Sequence, residues 1–363
     1  MNSEIQELRR RYEWAANGKE KMEICRQGWE LADKEESYQD QFFFREKYLS
    51  QAAFYDDAME LFVVFPVLLK KHDDYVKQYG EDPNLYRILW DYKWILENAR
   101  YFYQITVEQF QRFEEDAKRR MQEAGYSLRA YYLHKSFFYA QISPEKSREA
   151  YEKFLRCRRD SLSDCHACER NMEVQLLLEQ GKEEQALEKA QALFRRQLTC
   201  VEVPAITYGA FVEYFNRKML SGEPVDEQEL QEYQQELRYA IRNRKLCPEY
   251  IGTQLLSYSL TNKAQALNWF KWYCDYPETI RSPLYKFWFA IAATHFFGEM
   301  CNKSSYRMKI NKNFALYRED GTYCPKELYK YYRIMATEIA VKLDKRNGNE
   351  HYMQWVRLVE VGE

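Results

Sequence analysis

The stretch "GKEEQALEKAQALF" (residues 181–194) decides how this chain folds. Ala186 and Ala190 stand one helical turn apart on one face, just after the chain turns at Gly181. The same arrangement recurs as Ala150 and Phe154 in "SREAYEKFL", Ala58 and Phe62 in "DDAMELFVVF", and Ala266 and Phe270 in "KAQALNWFKW". Ala150 to Ala186 is 36 residues, and Ala186 to Ala266 is 80, or two periods of about 40. A small residue at such points lets the second helix of a hairpin lie close against its neighbours.

Helical periodicity continues on either side. "EIQELRRRYEWA" sets Ile5, Leu8, Tyr12 and Ala15 along one stripe. "DPNLYRILWDYKWILENARYF" (82–102) does the same with Leu85, Ile88, Tyr92 and Leu96, with Asp82 as the expected cap and Pro83 in the first turn. Thr106 and Gln109 have capping-box spacing, and Ser143-Pro144 opens another helix. Strand-like alternation is nearly absent, so the expected fold class is all-α. Turns such as "EAGYS", "EQGKEE" and "SGEPVD" argue against a long coiled coil. "QGKEEQALEKA" resembles the start of the second helix of a tetratricopeptide repeat. The expected architecture is an α-α superhelix of seven or eight tetratricopeptide-like hairpins, forming a single helical-repeat domain over residues 1–363. Residues 302–325 break the pattern and read as a loop or small β-hairpin insertion, with Asp320-Gly321 as its turn. Asn347-Gly348 reads as a helix C-cap.

Composition narrows the function classes. Lys plus Arg total 54 against 56 for Asp plus Glu, so there is no general attraction to nucleic acid or an anionic membrane. The apolar run "LFVVFPVLL" (61–69) is far short of the ~20 residues a spanning helix needs and is interrupted by Pro66. "FWFAIAATHFF" (287–297) is also short and carries His295. The N-terminal "MNSEIQELRRRYEW" has no apolar core for a secretory signal, and nine cysteines spread along the chain do not form a disulfide framework. The expected location is the cytoplasm.

Five phrases in order along the chain carry a resemblance: "LWDYKWIL" (89–96), "DAKRRMQEAGYSLRA" (116–130), "RDSLSDCHACE" (159–169), "LTCVEVPAITY" (198–208) and "LDKRNGN" (343–349). Together they resemble a family of uncharacterised bacterial tetratricopeptide-like proteins. The resemblance implies a helical-repeat scaffold and supplies neither a reaction nor site residues.

Cys165 and Cys168 begin a helix that runs to about Gly181, and residues three apart share a face. The chain then returns through a helix of similar length to Cys200, so an antiparallel hairpin sets Cys200 beside the other two. Three readings follow. Packing comes first, because cysteine is commonly buried as a small apolar group. A zinc site on Cys165, Cys168 and Cys200 comes second, with Cys157, His166, Asp164 or Glu202 as fourth ligand. A redox pair comes third, since the βαβ context that makes C-x-x-C persuasive is missing.

Catalytic signatures are absent. No glycine-rich nucleotide loop occurs, the five histidines are scattered, and "THFFGEM" lacks the second histidine of a zinc-protease motif. Glu114-Glu115 reads as part of a solvated face, and Lys118, Arg119 and Arg120 are expected to pair with Glu114, Glu115 and Asp116 at spacings of three or four on the same helix. Nucleic acid is disfavoured, although "AKRRM", "LRCRRD" and Lys303–Lys312 are locally basic. No enzyme and no cofactor other than zinc is expected. The expected function is a non-catalytic protein- or peptide-binding scaffold. The alternatives are an immunity protein neutralising a toxin, a peptide-sensing regulator, and, last, a zinc- or redox-active protein. Candidate partner-binding residues are those large or charged within apolar helices: Asp91, Lys93, Trp94, Arg129, Tyr132, Tyr208 and Tyr214.

Overall fold

The computed structural model describes residues 3–54, 58–244 and 246–360. Apart from one short strand pair the described chain is all-α. It divides into two compact units, Met1–Tyr139 with Glu145–Ser163, and Ala140–Pro144 with Asp164–Glu363.

The first unit holds α1 (Ser3–Trp14), α2 (Lys19–Lys34), α3 (Tyr38–Phe54), α4 (Leu61–Tyr79), α5 (Leu85–Asn98), α6 (Val107–Glu123), α7 (Arg129–Tyr139) and nearly all of α8 (Pro144–Arg156). α5 packs against both α3 and α7, with α4 and α6 also lying against it. Ile5, Leu8 and Tyr12 form the buried stripe of α1, and Ile88, Tyr92 and Leu96 that of α5. The capping box of α6 forms as its spacing implies: Gln109 N–H donates to Thr106 Oγ1 at 3.2 Å, and Thr106 N–H to Gln109 Oε1 at 2.9 Å. Three expectations need correction here. Asp82 is not the N-cap of α5, a position Asn84 holds; two residues earlier, its Oδ1 accepts from Asn84 N–H at 2.8 Å while its Oδ2 meets His72 Nδ1 at 2.7 Å and the Tyr38 hydroxyl. Ala58 sits in a single 3-10 turn before α4 rather than on the second helix of a hairpin. Pro66 does not break α4, which runs through it in the second turn.

The second unit holds α9 (His166–Glu179), α10 (Glu183–Phe194), α11 (Ala205–Leu220), α12 (Glu227–Tyr239), α13 (Ile251–Thr261), α14 (Lys263–Tyr273), the single turn α15 (Tyr276–Thr279), α16 (Pro283–Gly298), α17 (Pro325–Asn347) and α18 (His351–Val359). Consecutive helices pair as α9 with α10, α11 with α12, α13 with α14 and α16 with α17. The first members also form a row, α9 on α11, α11 on α13 and α13 on α16. Gly181 makes the first turn possible by adopting a φ of 70°, which a side chain would oppose. Ala186, Ala190, Ala266 and Phe270 are all fully buried on the second helices α10 and α14.

Helix α16 explains the apolar run around residues 287–297. Its side chains are buried all the way round within the second unit, against α13, α17 and α18. Among the described residues no helix is long and apolar enough to cross a membrane. Gly252 of α13 allows that burial, since a Cβ there would stand 2.5 Å from the Phe289 backbone nitrogen. Two buried hydroxyls on α13 are met by neighbours: Gln234 Nε2 donates to Ser257 Oγ at 2.7 Å, and Ser259 Oγ meets His295 Nδ1 at 2.7 Å.

The insertion before α17 contains the strand pair β1 (Tyr306–Arg307) and β2 (Thr322–Tyr323), antiparallel with Tyr306 opposite Tyr323. Asp320-Gly321 is not the tight turn joining them. It lies at the far end of the connecting loop, where Gly321 has a φ of 67° and Asp320 Oδ1 accepts from Thr322 N–H at 3.0 Å. Gly348 ends α17 in the left-handed conformation, and Asp344 then caps α18 by accepting from the N–H groups of Tyr352 and Met353.

Candidate functional site

The first unit has an open cleft of about 330 Å³ between α6, α7 and α8. Glu114 on α6 forms its floor, with Tyr132, Lys135 and Tyr139 of α7 on one wall and Lys146, Glu149 and Lys153 of α8 on the other. Glu114 belongs to the buried stripe Phe110, Glu114, Ala117 and Met121, so packing carries a carboxylate inward. Its Oε1 accepts from the Tyr131 hydroxyl at 2.8 Å and from the Lys135 ammonium. Its Oε2 is buried and accepts no hydrogen bond among the described residues. Such an oxygen costs stability until a donor reaches it. Burial and the Glu114 charge together push the Tyr131 hydroxyl far above the usual phenol range. Lys146 lies over the Tyr139 ring at 5.2 Å, and Lys153 pairs with Glu149 at 2.6 Å.

Sequence reasoning missed this floor. Glu114 is not on a solvated face and its partner is Lys135, not Lys118. Arg119 and Arg120 do pair with Asp116 on their own helix, and Arg120 also reaches Asp73 at 2.6 Å. The available signal was a carboxylate at an apolar position of the α6 stripe.

Of the residues singled out for partner binding, Tyr132 lines the cleft. The others have work inside their own units. Asp91 is buried on α5 with both carboxylate oxygens lacking a hydrogen bond among the described residues, and burial pushes its carboxyl well above the usual carboxylate range. Lys93 is also buried, its ammonium 3.6 Å from the Trp90 ring centroid. Trp94 is half-buried against the exposed Phe54. Arg129 caps the end of α8, donating to the carbonyls of Phe154 at 3.2 Å and Cys157 at 2.8 Å while stacking over the Phe154 ring. In the second unit Tyr208 is buried and stacked on Phe194, and the Tyr214 hydroxyl donates to Glu183 at 3.2 Å.

The three cysteines do converge. Cys165 is the N-cap of α9, and its Sγ accepts from Cys168 N–H at 3.3 Å. After α10, Arg196 takes a left-handed φ of 55° and the chain doubles back to Cys200. The Sγ atoms of Cys165, Cys168 and Cys200 lie within 4.8 Å of one another, above a floor of Ala167, Leu193 and Val203. No imidazole or carboxylate among the described residues joins them at that distance. Cys157 belongs to the first unit. Packing does not account for Cys165 and Cys200, because both are exposed. Burial alone would raise the Cys165 thiol, but hydrogen bonds from the Cys168 backbone, the Cys168 and Cys200 thiols and the Ala167 backbone outweigh it and hold it below the usual range. Cys168 moves the opposite way, pushed up by burial and then by Cys165. The buried Cys25, by contrast, is pushed up to about 12 by burial.

Compared with protein-family models, with curated proteins and with solved structures, the chain matches none.

Proposed function

We propose that this chain is a non-catalytic, peptide-binding helical scaffold of the tetratricopeptide-like kind, and that the cleft between α6, α7 and α8 is where the peptide lies. One observation carries the reading: a buried carboxylate oxygen, Glu114 Oε2, accepts no hydrogen bond within 3.5 Å among the described residues and stands on the floor of an open cleft. A peptide N–H satisfies that oxygen. Tyr132 and Tyr139 offer flat walls with little conformational entropy to lose, and Lys146 and Lys153 offer cations to a peptide carboxylate. The cleft is at the small end of the range for ligand pockets, which suits a short segment of a larger partner. The cleft residues stand on helices, and sites on helices are held more firmly than sites on loops.

The test is selection of a displayed random-peptide library on the purified protein, followed by calorimetry of the selected peptides on variants. Glu114→Gln keeps an oxygen for Tyr131 and Lys135 but replaces the second acceptor with a donor. It should weaken binding by roughly 10- to 150-fold, the worth of a hydrogen bond to a charged group. Tyr132→Ala should weaken it as well. Selection that enriches no peptide, or peptides that bind both variants as they bind the parent, would refute the reading.

A further inference from the structure

We propose that Cys165, Cys168 and Cys200 bind one zinc ion through three thiolates, leaving a fourth coordination position open to solvent. This site lies in the second unit and is independent of the peptide cleft. In a tetrahedral site with zinc–sulfur bonds of about 2.3 Å, neighbouring sulfurs stand about 3.8 Å apart. The three Sγ atoms are already within 4.8 Å of one another, so closing on the ion takes a movement of about 1 Å or less. Two of the three side chains are exposed, which leaves them free to make it.

The surroundings are those of a thiolate site. Three thiolates on a divalent ion leave one net negative charge. That charge sits at the N-terminus of α9, where the helix dipole favours an anion. Cys168 N–H already donates to Cys165 Sγ, the kind of contact that orients a ligating sulfur. On its inner side, Cys168 packs against the apolar cluster of Ala167, Leu193 and Val203. Sulfur ligands without accompanying carboxylates select zinc and other soft ions over magnesium or calcium.

The ion would pin the start of α9 to the segment between α10 and α11. Because no fourth protein ligand joins the cluster among the described residues, that position falls to water or to a group from outside. Binding changes no oxidation state. Each thiol that ligates gives its proton to solvent, so loading releases up to three protons per zinc.

The experiment uses the full chain, reduced and stripped with a chelator under nitrogen, and titrated with zinc alone against a chromophoric competitor. Proton release is read in weak buffer, and cobalt(II) serves as a spectroscopic stand-in. The expected result is one zinc per chain with proton release, and a sulfur-to-cobalt charge-transfer band. Cys165→Ser, Cys168→Ser and Cys200→Ser should each weaken zinc binding by at least about 100-fold, more than the loss of an outer-shell partner. Cys301→Ser, exposed and outside the cluster, should bind as the parent does. Circular dichroism keeps loss of fold separate from loss of ligand, and Cys165→Ser and Cys200→Ser alter only exposed side chains. Zinc binding that survives Cys168→Ser in a folded protein, a cobalt complex without the sulfur band, or no uptake by the reduced parent would each overturn the proposal.

Discussion

Replacing Gly252 by alanine tests the packing of α13 on α16 directly. The added Cβ would lie 2.5 Å from Phe289 N, 2.6 Å from Trp288 C and 2.8 Å from Trp288 O. Ordinary carbon contacts are about 3.5–4.0 Å, so the shortfall is about 1 Å. All three atoms are backbone, and they belong to a helix buried on every side, so no side chain can swing away to relieve the clash. The two helices must part instead. A gap of 0.5–1 Å forfeits about a quarter to a half of each dispersion contact across it. That loss falls on Leu255, Leu256 and the other buried side chains of this interface. Elsewhere in a helix, glycine to alanine gains roughly 0.5–1 kcal/mol. Here we expect a net loss of about 3 kcal/mol, at the top of the range for overpacking. For a unit of this size that lowers the thermal midpoint by about 6–12 °C. Gly209→Ala is the companion: its Cβ would meet the Tyr250 ring at 2.6 Å, a side chain rather than a helix backbone, so relief needs only that ring and its hydrogen bond from Gln175 to shift. It should cost less. The assay is thermal and urea unfolding followed by circular dichroism. A Gly252→Ala protein as stable as the parent would show that the two backbones do not approach this closely.

Other outcomes follow from single side chains. Burial raises the folded-state pKa of Asp91 above the unfolded value of about 3.9, with Glu46 adding to the rise and Arg87 and Lys47 opposing it. The native state therefore keeps a proton that the unfolded chain releases. Stability should fall by about 1.4 kcal/mol per pH unit as pH climbs from about 4 towards the folded pKa. Asp91→Asn should lose that slope and be the more stable protein at pH 7, whereas parallel urea-stability profiles from pH 4 to 8 would clear Asp91 of any role. Thr106→Ala removes the side-chain half of the α6 capping box and should cost about 1 kcal/mol by the same unfolding assay; an unchanged midpoint would mean the cap is formed but unneeded.

Much of the secondary structure was legible from short-range physics. The stripes Ile5, Leu8, Tyr12 and Ile88, Tyr92, Leu96 bury as their spacing implies, because the helix period alone decides which residues share a face. The Thr106 cap, the turn at Gly181 and the stop at Gly348 are equally local, each resting on a hydrogen bond or a φ value within a few residues. Even the meeting of three thiols followed from hairpin arithmetic, since two helices of similar length return the chain to its starting end. Exposure was another matter. Residue type does not tell a cysteine that packs from one that faces water: Cys25 is buried within α2, while Cys165, at the N-cap of α9, is exposed. The same holds for carboxylates. Asp82 reads as a helix cap until His72 and Tyr38 arrive from other helices to claim its oxygen. Glu114 reads as surface until α7 lays Tyr131 and Lys135 over it, and Asp91 and Lys93 read as groove residues until neighbouring helices bury them. Periodicity and capping act along one helix and were settled by the sequence. Burial, ion pairing and the opening of a cleft are sums over helices distant in the chain, so only their packing decided them.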